Sequence, residues 1–160
     1  MNQNQIRRLI TDVLKKMEMW SEEAEELVFL TGLVESGYKY ISQIGSDIAR
    51  SFFQVETATA KDCIDNYLVY RQDVLKNFAT AIQRRPTEIL AWTEEEIKEL
   101  LWHDIAAGIA FCRIVYRRVP KPLPVSLEEC AQQWKEHYNT KHGSGTISHF
   151  MSHADKRRDK

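Results

Sequence analysis

A chain of 160 residues, 43% apolar and 28% charged, is long enough to bury a sizeable core within one compact domain. Its formal net charge of −1 excludes a general nucleic-acid binder, which needs a clear excess of Lys and Arg on some face; the only basic cluster is the short mixed run DKRRDK. Three cysteines, Cys63, Cys112 and Cys130, cannot all pair and are not at metal-type spacing, so a reducing compartment is expected.

In chain order, the opening MNQNQIRRLITD lacks the apolar core of a signal peptide, and the longest apolar run, Ile105 to Cys112, is too short to span a bilayer. No membrane insertion is expected. Ile6, Leu9, Ile10, Val13, Leu14 and Met17 follow the helical i, i+3, i+4, i+7 series and predict a first helix packed by one face. Ser21 is the expected N-cap of a second helix, with Glu22 and Glu23 in its first turn, apolar residues around most of its circumference, and a stop at Gly37. From Tyr38 to Phe53 the helical period is lost, predicting a loop or small irregular hairpin with a short helix over Ser46 to Arg50.

A helix starting at Thr57 or Thr59 is expected to break near Arg71 to Asp73 and continue to about Ile82, before Pro86 interrupts it. Thr93 to Glu96 is a capping box and Trp92 with Ile97 has hydrophobic-staple spacing, so a strong helix begins at Glu94. Its apolar positions run from Ile97 to Ile114, predicting the central buried helix. Pro120, Pro122 and Pro124 end it in an extended segment. Ser126 to Glu129 is a second capping box, opening a helix through about Tyr138; Lys141 to Gly145 reads as a flexible loop. Thr146 is placed to cap a last short helix before a flexible basic tail at about 154–160.

The second helix therefore ends on a lone acid, Glu35. The negative end of the helix dipole and the apolar neighbours both disfavour its ionised form, so its pKa is expected to be raised. A carboxyl group kept partly dry beside a polar groove holds a proton near neutrality and can act as a general acid. Spacing alone does not single it out, because a glutamate at a helix end is as a rule a solvated surface residue. His149 with His153, and Cys130 with His137 and His142, lack any Cys-x-x-Cys or His-Glu-x-x-His arrangement, so no metal site is assigned. The four tryptophans read as core, and Arg113, Arg117 and Arg118 suit the end of a helix dipole.

The pair Glu35-Ser36, followed by Ala49-Arg50-Ser51-Phe52-Phe53-Gln54-Val55 and Ala58-Thr59, resembles the signature of the lysozyme-like lytic transglycosylases. The stretch Tyr116 to Pro124, then Trp134-Lys135, His137-Tyr138-Asn139-Thr140 and Gly143-Ser144-Gly145-Thr146, is similar to a narrower group of small virion-associated bacteriophage proteins. The broad motif covers about a fifth of the chain; the narrower similarity runs from it nearly to the end.

The resemblance implies an all-α, lysozyme-like single domain over residues 1–160, with at most a small irregular hairpin after the catalytic helix. It implies Glu35 as the general acid that protonates the glycosidic oxygen between N-acetylmuramic acid and N-acetylglucosamine, and as the base that then forms an anhydro ring. No second carboxylate or cofactor is called for. Ser36 would orient Glu35 or the substrate, Gln54 would hydrogen-bond sugar groups, Ser51 would lie on the substrate-binding side, and Tyr67 or Tyr116 would add a polar contact. A water-using variant would need a carboxylate across the sugar, with Asp47, Glu56 and Asp62 as candidates. The expected partners are peptidoglycan glycan strands and other virion proteins of the tail or baseplate, with assembly in the host cytoplasm and delivery in the virion. The family usually has Gly where this chain has Ser51 and Pro where it has Thr57. Ser51 and the bulky Phe52-Phe53 are expected to narrow the cleft, which frames the alternative of a virion structural or adaptor protein.

Overall fold

The computed structural model of the protein describes residues 1–139 and 145–155. Among these the chain is mostly helical: α1 (Gln3–Lys16), α2 (Glu22–Glu35), α3 (Thr57–Asn66), α4 (Gln72–Ile82), α5 (Pro86–Ala91), α6 (Glu94–His103), α7 (Ile105–Arg117), α8 (Leu127–Gln133) and α9 (Ile147–Asp155). Two antiparallel two-residue strands, β1 (Ala49–Arg50) and β2 (Val55–Glu56), lie between α2 and α3, pairing Ala49 with Glu56 and Arg50 with Val55. No described helix is long and apolar enough to cross a membrane.

Local chemistry starts the two helices that frame the site. The Asn2 side chain accepts a hydrogen bond from the Gln5 N–H and opens α1, whose Ile6, Ile10, Val13 and Leu14 stripe is buried while the other faces stay polar. Ser21 accepts from the Ala24 N–H to open α2, with Glu22, Glu23 and Glu25 in the first turn. Beyond that turn α2 is buried on every side, from Leu27 to Val34, and it ends as expected at Ser36, with Gly37 at φ +62° leading the chain away. α7 is buried without interruption from Ala107 to Tyr116. The Thr31 hydroxyl donates to the Leu27 carbonyl and lies 2.8 Å from the Tyr116 hydroxyl, which ties α2 to α7 across the core.

Several elements differ from the sequence reading. The apolar run expected as one central helix is two, because Asp104 adopts extended backbone and its carboxylate accepts from the Ala107 N–H as the N-cap of α7. The capping box at Thr93 is present as expected. No helix covers Ser46 to Arg50: Asp47 has φ +53°, and Gln43 pairs with Ala49 through both its backbone and its side chain, drawing the segment into a strand-like bend. Pro86 opens α5 at its first position, where its missing N–H costs nothing; α4 has already stopped at Gln83, in left-handed conformation. The helix expected to reach Tyr138 changes character at Trp134, where residues 134–138 widen into a π-turn closed by a bond of 2.7 Å from the Asn139 N–H to the Trp134 carbonyl. α9 continues through Asp155 with Ala154 buried; residues 156–160 of the expected tail, and 140–144 of the expected loop, lie outside the described residues.

The turn between the strands holds Ser51 at φ +72° and Gln54 at φ +49°. It is seated on Gly108 of α7, where a Cβ would overlap Ser51 Cβ and Oγ, so a bare backbone is required in mid-helix. Phe52 and Phe53 turn inward from this turn and meet Tyr38 edge-on, with ring centroids 5.7 and 6.0 Å away. They pack in the core and do not narrow a cleft.

The three cysteines are buried and unpaired. Arg113 is the costly exception in this core. It is 5% exposed, its Nε and Nη1 have no partner, and no carboxylate pairs with it among the described residues. Burial, aided by Arg117, pulls its guanidinium down to about 10. Replacing an uncompensated buried charge with an apolar chain of similar length removes that desolvation penalty. Arg113→Met is therefore expected to raise the thermal midpoint by several degrees, equivalent to about 1–3 kcal/mol, in a circular-dichroism melt.

Candidate active site

Because α2 is buried on all sides, its last residue emerges from the core at the rim of a cleft. Glu35 lines this cleft, of about 500 Å³, with Gln43 from the loop after α2, Gln54 and Glu56 from the hairpin, and Trp134 and Tyr138 from the π-turn. The helix end is pinned from outside by the Tyr40 hydroxyl, which donates to the Glu35 carbonyl at 2.7 Å.

The Glu35 side chain has one direct partner among the described residues: the Trp134 indole N–H donates to Oε1 at 2.9 Å. Burial pushes the Glu35 carboxyl up to about 7, the indole N–H pulls it back down, and the charge of Glu56 pushes it up again. The acid is thus half protonated near neutrality, as the apolar end of α2 led one to expect. Around it the wall is polar but ordered: the Gln54 amide donates to the carbonyls of Ser51 and Ile41, and the Tyr138 hydroxyl donates to the Phe53 carbonyl. Tyr116 stacks on Tyr138 with centroids 5.2 Å apart and an interplanar angle of 18°.

The residues singled out in the sequence divide into two groups. Glu35 and Gln54 meet in the cleft. Ser36 and Ser51 are buried and serve their own turns: Ser36 Oγ bonds the Gly32 carbonyl and accepts from the Tyr38 N–H, while Ser51 Oγ accepts from the Phe53 N–H. Tyr67 is buried away from the cleft lining, under the Arg71 guanidinium 4.0 Å above its ring. Tyr116 also sits behind the lining, on Thr31 and Tyr138. Of the three carboxylates considered for a water-using variant, only Glu56 lines the cleft. Asp47 is held by Arg50 and Ser42, and Asp62 by Arg118 and Asn66.

Trp134 and Tyr138 are contributors to the cleft that the sequence reading did not assign. Trp134 reads as core by residue type and is indeed 1% exposed; its N–H reaches Glu35 because the fold joins positions 99 residues apart. A larger, shallower hollow of about 810 Å³ between α5, α6 and the start of α7 is rimmed by the exposed acids Glu95, Glu96 and Glu99 and contains no comparably dry acid.

Compared with models of protein families, with curated proteins and with solved structures, this chain matches none.

The raised carboxyl carries a stability signature. Its ordinary value is 4.5 and its folded value about 7, so wild-type stability falls as pH rises from the first to the second, where only the unfolded chain ionises freely. Glu35→Gln keeps a carbonyl oxygen for the indole N–H and removes the ionisation. The variant is expected to be more stable than wild type by about 2 kcal/mol near pH ~8.5 and to lose that advantage near pH ~4, as measured by denaturant titration at the two pH values.

Proposed function

We propose that this chain is a lysozyme-like lytic transglycosylase that cleaves the glycosidic bond between N-acetylmuramic acid and N-acetylglucosamine in peptidoglycan, carried in a bacteriophage particle. The observation that supports this most is the half-dry Glu35 at the end of a buried helix, its carboxyl at about 7, on the rim of a polar cleft. A general acid works best when its pKa lies close to the working pH. The motif that carries the family resemblance supplies both Glu35 and Gln54 to that cleft.

In this reading the protonated Glu35 gives its proton to the bridging oxygen as the bond from the anomeric carbon to that oxygen breaks. The electron pair of the broken bond stays on the departing sugar oxygen. The carbonyl oxygen of the substrate's own acetamido group covers the positive charge left on the anomeric carbon. The Glu35 carboxylate then takes the proton from the C6 hydroxyl as that oxygen closes on the anomeric carbon, giving the anhydro ring and restoring the acid. No water is consumed. Tyr116 acts from behind the lining, stacked on Tyr138 of the cleft wall, and Ser36 and Ser51 shape the two turns that present Glu35 and Gln54.

Glu56 favours a second reading, hydrolysis, because it is a carboxylate in the same cleft whose charge is felt by Glu35. The two chemistries separate by product mass, since anhydromuropeptides are lighter by one water than hydrolytic products. Purified protein is expected to release anhydromuropeptides from peptidoglycan, with kcat/KM falling as pH rises through about 7. Glu35→Gln should lower that release about a hundredfold to ten-thousandfold with the helical circular-dichroism signal unchanged, whereas Glu56→Gln should leave product mass the same. Hydrated products lost in Glu56→Gln would establish hydrolysis, and a wild type inert on walls yet required in assembled particles would establish a structural role.

A further inference from the structure

The hydrogen bond on Glu35 is made by a group with no choice of direction. Indole N–H donates and cannot accept, so the oxygen it meets must act as acceptor whether the carboxyl is ionised or protonated. Trp134 holds Oε1 in this way, and no described residue makes a hydrogen bond to Oε2. The indole is not free to swing away. It is 1% exposed and packs on Phe150 with centroids 5.4 Å apart; Gly145 lies so close to its edge that a Cβ there would overlap the ring. Its own backbone carbonyl is locked into the π-turn by the Asn139 N–H.

We propose that Trp134 is the positioning residue of the acid: by occupying Oε1 it confines the transferable proton of Glu35 to Oε2, the oxygen left for the substrate. This rests on the transglycosylase reading for its function, while the hydrogen-bond geometry stands without it. One oxygen then serves both steps, giving its proton to the leaving oxygen and recovering one from the C6 hydroxyl, while the other never leaves the indole. Such fixed donors are effective because they need no reorientation during the reaction.

Other charged or titratable groups line the same cleft or feel the charge of this carboxyl. Glu56 comes from β2, Arg118 from the end of α7, His137 and Tyr138 from the π-turn, and His149 from α9. Tyr40 approaches from the loop after α2, and Cys112 and Tyr116 from α7. Histidine as a residue type changes charge between about pH 5 and 8, and His149 stacks on Trp134 with centroids 6.3 Å apart. A test must separate imidazole titration from that of Glu35.

The 160-residue chain, labelled with 13C and 15N, is titrated by nuclear magnetic resonance from about pH 5 to about pH 9, following the Glu35 carboxyl carbon and the Trp134 indole N–H. The indole signal is expected to move with the same midpoint as Glu35 in the wild type and to lose that transition in Glu35→Gln, where both histidines remain. In Trp134→Phe the Glu35 midpoint is expected to rise by about one pH unit, and the alkaline limb of kcat/KM on peptidoglycan to move up with it while kcat falls. An indole transition that persists in Glu35→Gln, or a Glu35 midpoint unchanged in Trp134→Phe, overturns the assignment. Should Trp134→Phe fail to fold, the wild-type and Glu35→Gln titrations decide the matter alone. A coupled titration in a wild type that does not cleave peptidoglycan supports the hydrogen-bond assignment and overturns the cleavage reading.

Discussion

The structure depends on burying α2 from every direction. A helix wrapped on all sides is normally an interior strut, with its charged residues confined to its ends. Here the entry end is acidic and capped by Ser21, where negative charge relieves the positive pole of the dipole. The exit end also carries an acid, Glu35, where the dipole is unfavourable and water is scarce. That second placement works against stability, and it makes the residue an acid poised near neutrality. The surrounding packing has to tolerate it: α7 ties down the helix through Thr31 and Tyr116, and Tyr40 closes over its last carbonyl.

Three influences on one carboxyl explain why the value settles near 7. Burial dominates and would carry the group further, Trp134 restrains it, and Glu56 adds a like charge across the cleft. Removing any one alters the balance in a known direction. In the cleft wall Gln43, Gln54 and Tyr138 are committed to backbone partners, the N–H of residue 49 and the carbonyls of residues 51 and 53. A ligand would meet a wall already organised by the fold.

Much of the frame was legible in the sequence because local rules decide it. The caps at Ser21 and Thr93, the one-sided stripe of α1, the stop after Glu35 and the irregular hairpin all follow from short-range chemistry. The break between α6 and α7 was written there too, in Asp104, but an unbroken apolar pattern on both sides hid it. What could not be read was anything set by distant pairing. Trp134 has the composition of a core residue, and nothing near it in sequence indicates that its N–H will reach Glu35. Ser36, Ser51, Tyr67 and Tyr116 have the right chemistry for a binding wall, yet only the packing decides which way each faces. Serine hydroxyls near turns tend to be captured by their own backbone, and both serines follow that rule.

Ser51 and Gly108 meet in one tight contact between the hairpin turn and α7. The turn carries a side chain there, and the helix beneath it lacks a Cβ. The contact has space for one small group, and the turn occupies it. Two sites far apart along the chain therefore share a single steric allowance, and substitutions at them should be coupled: glycine at position 51 frees position 108 to take alanine, whereas alanine at 108 beneath Ser51 is penalised.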